Sequence, residues 1–186
     1  MSLKSRKIIL NKLLIYFPIL ILFISVFSEF DFNYLNYKYF SFNFPFILIF
    51  YLSLKRVEFL GYGYIFIAGL FNDTVLGFPI GISSLTYLII CGFAAYLKNI
   101  TLRPNLFKDG VYFLVTILVA NSVNYFLLVL FFSIESNYYE LSGNIFFTFL
   151  MYYIFAHILD FYYKLAFRKK WLMIEEGTIQ DLKKIR

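Results

Sequence analysis

The chain reads Ala68-Gly69-Leu70-Phe71-Asn72-Asp73-Thr74-Val75-Leu76-Gly77-Phe78-Pro79-Ile80-Gly81 between two apolar segments. Gly69, Asp73 and Gly77 recur at every fourth position, so a helix through this stretch would carry all three on one face. Small residues on such a face let a neighbouring helix approach closely. Pro79 then ends the helix, and Gly77 and Gly81 permit the backbone angles of a tight reversal. The stretch therefore predicts two helices that pack against each other across a short turn.

The composition on both sides of this turn is that of a membrane protein. Of the 186 residues, 61% are hydrophobic, whereas a soluble domain has about 45–50%. A helix needs about 20 apolar residues to cross a bilayer core of about 30 Å. Six apolar segments can be drawn, at residues 8–27, 40–54, 59–76, 80–97, 111–132 and 145–167. We therefore expect an all-α integral membrane bundle of six transmembrane helices over residues 1–171, without a separate soluble domain.

The basic residues indicate the orientation of these spans. Six crossings that start from a cytoplasmic N-terminus leave only Lys38 of the 17 basic residues outside, which is the positive-inside pattern. A re-entrant second segment, suggested by its shortness and by Pro45, would instead place the basic stretch 98–108 outside. The first segment is longer than the apolar core of a typical signal peptide, which favours an uncleaved span. Both termini are therefore predicted to be cytoplasmic. The net charge of +6 follows from topology, and no nucleic-acid partner is expected.

Asp73 is predicted to lie within the hydrocarbon or at its outer edge, about 21 Å from the inner boundary of its span. An ionised carboxylate at that depth costs a few kcal/mol unless it has partners. The backbone N–H groups near Gly81–Ser84, where the next helix begins, are the expected partners. Two roles remain open. A structural cap is favoured because the motif has no basic or second acidic neighbour, and an ion or proton site is the alternative.

The last span carries a second polar group. His157 and Asp160 are three residues apart, and Lys164 follows Asp160 by four. The spacing predicts an Asp160–Lys164 ion pair, and His157 and Asp160 form a possible buried polar pair, with His157 bonding to a neighbouring helix. A metal site is not expected, because no Glu-x-x-His pair or cysteine cluster accompanies them.

The remaining polar residues give little support for catalysis. Asn121, Ser122 and Asn124 in the fifth span are expected to bond across helices, with the lining of a cavity as the alternative. The chain has no GxSxG, P-loop, HExxH or Ser/His/Asp pattern, and its single histidine leaves little basis for acid–base chemistry. We therefore expect no enzyme, no catalytic residues, no cofactor and no metal.

The C-terminal residues 172–186 mix basic and apolar side chains and are predicted to form a cytoplasmic amphipathic tail. Two roles are open for this tail. It could lie on an anionic inner leaflet, which is the favoured role, or it could offer a docking surface to a cytoplasmic partner.

The pattern G-L-x-x-D-x-x-x-G-x-P-x-G resembles the signature of the rod shape-determining MreD family, and it falls at Gly69, Leu70, Asp73, Gly77, Pro79 and Gly81. The chain length, the six spans with short loops and the two cytoplasmic ends also resemble that family. The resemblance covers the whole chain in layout and about a dozen residues in specific sequence.

This resemblance implies a non-enzymatic scaffold of the cell-elongation complex, which builds peptidoglycan at the bacterial cytoplasmic (inner) membrane. It implies an MreC-like single-span partner, with MreB, RodA and a penicillin-binding transpeptidase in the same complex and membrane lipid around it. It also implies a fold similar to the substrate-binding subunits of energy-coupling-factor transporters. The alternative function is a small-molecule (vitamin-type) binding subunit of a membrane transporter.

Overall fold

The computed structural model describes residues 17–26, 42–55, 60–100, 106–132 and 138–184. Helices account for nearly all of these residues, and no strand occurs among them, so the predicted all-α fold is confirmed. The described part of the chain contains six helices: Phe17–Val26 (α1), Phe44–Lys55 (α2), Tyr62–Leu76 (α3), Ile82–Ile100 (α4), Leu106–Phe132 (α5) and Tyr138–Lys184 (α6).

The helix ends differ from the predicted segments at several places. Residues 8–16 of the first segment lie outside the described residues. Helix α5 begins five residues before 111, and α6 extends from Tyr138 to Lys184 as 47 residues of helix. Hydropathy marks only the apolar part of a helix, whereas Lys, Glu and Gln have good helix propensities and do not stop it. The backbone of residues 172–184 therefore continues α6, and the predicted tail is not a separate element.

Helix α2 is the centre of the fold. All ten residues from Pro45 to Leu54 are buried, and the helix packs against α4 and α6. The Phe50 ring lies 5.1 Å from that of Phe113 in α5 and 5.8 Å from that of Tyr152 in α6, measured between centroids. A helix that is apolar on every side has no polar face to turn toward water, and in α2 every side is covered by other parts of the protein. Helix α2 is one continuous helix of 12 residues, so the chain does not reverse direction between Phe44 and Lys55.

The outer surface of the fold is also apolar. Helices α3, α5 and α6 expose large hydrophobic side chains, among them Phe66, Phe107, Phe126, Leu130 and Phe161. Two stretches, Leu106–Phe132 and Leu141–Tyr162, are long and apolar enough to cross a membrane, judged by length and composition. Exposed apolar surface of this extent marks a face that meets lipid or another protein rather than water.

Candidate functional site

The turn between α3 and α4 has the geometry that its glycines predict. Gly77 ends α3 in the left-handed region, at φ 69° and ψ 22°, and donates its N–H to the carbonyl oxygen of Asp73. The Phe78 N–H donates to the same oxygen at 2.9 Å. Gly81, two residues after Pro79, has φ 108°. Positive φ angles of this kind disfavour residues with a Cβ, so both glycines are required by the backbone.

The Asp73 side chain joins the two helices across this turn. It is fully buried. Its Oδ2 accepts the Gly81 N–H at 2.7 Å, and its Oδ1 accepts the Ser83 N–H at 2.8 Å. These are the predicted contacts, and they satisfy N–H groups that the start of α4 leaves without intrahelical partners. The partial positive charge at the start of α4 further stabilises the carboxylate.

One turn earlier, α3 and α4 approach at backbone distance. A Cβ added to Gly69 would lie 2.6 Å from the Ser84 backbone nitrogen. The Ser84 hydroxyl donates to the Phe66 carbonyl oxygen at 3.0 Å, and the Asn72 amide donates to the Ser83 hydroxyl at 3.0 Å. The predicted close approach at Gly69 is therefore confirmed.

Gly77 does not share the packed face with Gly69 and Asp73, so that part of the prediction is wrong. Helix α3 ends at Leu76, and the chain leaves the helical path before the face is completed. Gly77 is exposed, and a Cβ added to it would meet nothing within 4 Å. Gly77 is needed for the left-handed backbone conformation that ends α3. Leu70, the remaining helical residue of the motif, is half-buried.

Asp73→Asn is expected to lower the free energy of unfolding by about 1–2 kcal/mol, because one backbone N–H would face an amide NH2 instead of an oxygen. Thermal unfolding of the purified protein in detergent measures this change. Thr74→Ala, at the neighbouring exposed position, is the control and should change stability by less than about 0.5 kcal/mol. Normal stability and complex assembly with lost cellular function would instead favour the ion or proton role.

A second polar site, here named the Lys55 cluster, consists of Tyr51, Lys55, Asp109 and Asp160. The Lys55 Nζ lies 3.2 Å from Asp160 Oδ1 and 3.7 Å from Asp109 Oδ2. The Tyr51 hydroxyl donates to Asp160 Oδ1, and the Lys55 Nζ lies 5.1 Å from the centroid of the Tyr51 ring. The cluster thereby joins the end of α2, the first turn of α5 and the middle of α6.

The charges in the Lys55 cluster do not balance. One ammonium faces two carboxylates, and the Asp109 side chain is only 2% exposed, against 21% for Lys55 and 24% for Asp160. Among the described residues, Asp109 Oδ2 has no hydrogen-bond partner, and neither does the fully buried Tyr152 hydroxyl. An uncompensated charge in a desolvated place is costly, and the described residues alone do not form a closed, neutral ion-pair network here.

The predicted pairing of Asp160 is wrong. His157 is exposed and forms no buried pair with Asp160, and Lys164 is exposed while Asp160 pairs with Lys55. Residues three apart on a helix point about 60° apart, which is enough to leave one side chain at the packed edge and turn the other outward. The predicted six-span arrangement would place the end of α2 and the start of α5 on the same side as Asp160, a signal that sequence reasoning missed.

The polar residues of α5 bond within their own helix, contrary to the prediction of bonds across helices. The Asn121 amide donates to the Ile117 carbonyl oxygen at 2.9 Å, and the Ser122 hydroxyl donates to the Leu118 carbonyl oxygen at 2.8 Å. Asn124 Oδ1 is buried and has no hydrogen-bond partner in the described part of the chain. The described residues contain no group of three His, Cys, Asp or Glu side chains that could hold a metal ion.

Comparisons with protein-family models, with curated proteins and with solved structures give no match for this chain.

Proposed function

We propose that this chain is a non-enzymatic scaffold of the bacterial cell-elongation complex, related to the MreD family and embedded in the inner membrane. The observation that carries the proposal is the α3–α4 reversal. Gly69 permits the close approach, Asp73 caps α4, and Gly77 and Gly81 adopt positive φ angles. Each of these motif residues makes a separate contribution to the turn. This supports the view that the resemblance to the MreD signature is not a chance match of glycines.

In the proposed arrangement all six helices cross the membrane, with both termini cytoplasmic. The apolar exteriors of α5 and α6 support contact with lipid or with other membrane helices. The central α2, of 12 residues, is about 18 Å long and would rely on its neighbours to complete a crossing. Such a bundle has apolar outer faces on which the membrane helix of an MreC-like protein can pack, with MreB, RodA and the transpeptidase joining the same complex.

Purification of the tagged chain from its native bacterium in mild detergent, with mass spectrometry of co-eluting proteins, tests the proposal. We expect an MreC-like protein and peptidoglycan-synthesis proteins to co-elute with the wild-type chain and with Gly92→Ala, a helical glycine with open space around it. ATPase subunits, or a small molecule bound to the protein alone, would instead identify a transport protein.

The cytoplasmic end of α6 supports a separate prediction. Residues 172–184 extend the helix by about 20 Å, which is long enough to present a surface beyond the membrane. We expect deletion of residues 172–186 to leave membrane insertion intact and to reduce recruitment of a cytoplasmic filament, as measured by fluorescence localisation. Unchanged recruitment in the deletion variant, together with binding of the isolated tail peptide to anionic membranes, would favour the lipid-binding role.

A further inference from the structure

With both carboxylates ionised, the described residues of the Lys55 cluster carry one net negative charge. Lys55 is shared between Asp160, at 3.2 Å, and Asp109, at 3.7 Å, and the second distance is too long for a hydrogen bond. Asp109 is buried and Oδ2 has no hydrogen-bond partner among the described residues. The fully buried Tyr152 hydroxyl also has no hydrogen-bond partner among the described residues.

Only one carboxylate of the cluster can be reached from outside. The Asp160 side chain is 24% exposed, whereas the Asp109 side chain is 2% exposed. In the proposed orientation, the end of α2 and the first turn of α5 lie at the cytoplasmic side of the membrane. Lys and Arg are enriched at the cytoplasmic ends of membrane spans, so a neighbouring span would bring a cation to the depth of Asp160.

We infer that Asp160 is the docking point for a Lys or Arg side chain at the cytoplasmic end of a partner's single membrane span; this inference rests on the proposed function. When the partner's cation pairs with Asp160, Lys55 is released toward Asp109. A movement of about 1 Å brings the Lys55 Nζ within hydrogen-bond distance of Asp109 Oδ2. Two ion pairs then replace one shared cation, and the cluster becomes neutral.

Asp109 is a positioning residue in this scheme, because it controls docking without touching the partner. In Asp109→Asn, Lys55 and Asp160 form a neutral pair, and an incoming cation would leave Lys55 uncompensated. Docking should therefore weaken, although the mutated side chain is buried. Adding Lys55→Gln to Asp109→Asn restores one net negative charge at Asp160, and docking should recover. A purely structural role predicts the opposite order, since the double variant has lost more native contacts.

The test uses the full-length chain in its native bacterium, with a photo-crosslinking amino acid at Phe161, which is 65% exposed and adjoins Asp160. A second probe at Phe126 on α5, 60% exposed, is the matched control. We expect the Phe161 probe to crosslink a single-span protein within one helical turn of a Lys or Arg. Asp160→Asn and Asp109→Asn should each lower this yield about tenfold, and the double variant should return it to within about twofold of wild type. Unfolding temperatures of the purified variants exclude misfolding as the cause.

Several results would overturn the inference. Unchanged crosslinking in Asp109→Asn would mean that a proton, and not a partner, neutralises Asp109. Crosslinking that is insensitive to Asp160→Asn, or lipid adducts alone at Phe161 while a partner still co-purifies, would place the partner elsewhere and leave the proposed function standing. Absence of any crosslinked or co-purified partner at both probe positions would instead remove the proposed function itself.

Discussion

Gly69→Ala is expected to force α3 away from α4 and to lower the free energy of unfolding by about 3 kcal/mol. The added Cβ would lie 2.6 Å from the Ser84 backbone nitrogen, and a helix backbone cannot move aside as a flexible side chain can. The same displacement would lengthen the bonds of Asp73 to Gly81 and Ser83, since these cross the same pair of helices. Unfolding of the purified protein in detergent, by heat or by denaturant, measures the loss.

Gly92→Ala is the matched control, because Gly92 also lies within a helix but a Cβ there would meet nothing within 4 Å. Alanine has the better helix propensity by about 1 kcal/mol, so this variant should be as stable as wild type or slightly more stable. Equal destabilisation by both substitutions would show that glycine matters for helix flexibility in general. The close contact at Ser84 would then not be the reason for Gly69.

Lys55→Met is expected to destabilise the protein by about 3 kcal/mol, at the lower end of the range for breaking a buried ion pair. The substitution leaves Asp109 and Asp160 as two uncompensated carboxylates in one site, and partial exposure of Asp160 reduces the penalty. It also removes the ammonium from the face of the Tyr51 ring. The midpoint of thermal unfolding and the amount of protein in the membrane are the two measurements.

Lys98→Met provides the comparison for this variant. Lys98 is in the last turn of α4, is exposed, and forms no ion pair with any described residue. Its replacement should change stability by less than about 0.5 kcal/mol. Combining Lys55→Met with Asp109→Asn should recover part of the loss, because one of the two carboxylates becomes neutral. A double variant no more stable than Lys55→Met would show that the uncompensated charge of Asp109 is not the source of the loss.

The local features of the α3–α4 turn could be predicted from sequence because they depend on neighbouring residues. Positive φ angles at Gly77 and Gly81 follow from the stereochemistry of glycine, and the partners of Asp73 follow from the free N–H groups at the start of the next helix. The central position of α2 could not be predicted in this way, since a helix without a polar face can meet lipid as well as other helices.

The pairing of charges could not be predicted in the same way. Whether Asp160 meets Lys164 or Lys55 depends on the rotation of α6 about its axis, and an error of about 60° exchanges Asp160 with His157. Hydropathy does not fix that rotation in α6, because its apolar residues surround the helix. The extent of α6 beyond its apolar part was missed for a related reason, since polar residues with good helix propensity continue a helix that hydropathy no longer marks.

The two polar sites also differ in when each one can form during synthesis. The bonds from Asp73 to Gly81 and Ser83 close loops of 8 and 10 residues, whereas the bond from Lys55 to Asp160 spans 105 residues. Short loops close with little loss of chain entropy. The α3–α4 hairpin can therefore assemble while the ribosome is still producing α5. Lys55 has to wait for α6, so an interrupted chain would retain a finished hairpin beside an open ionic junction.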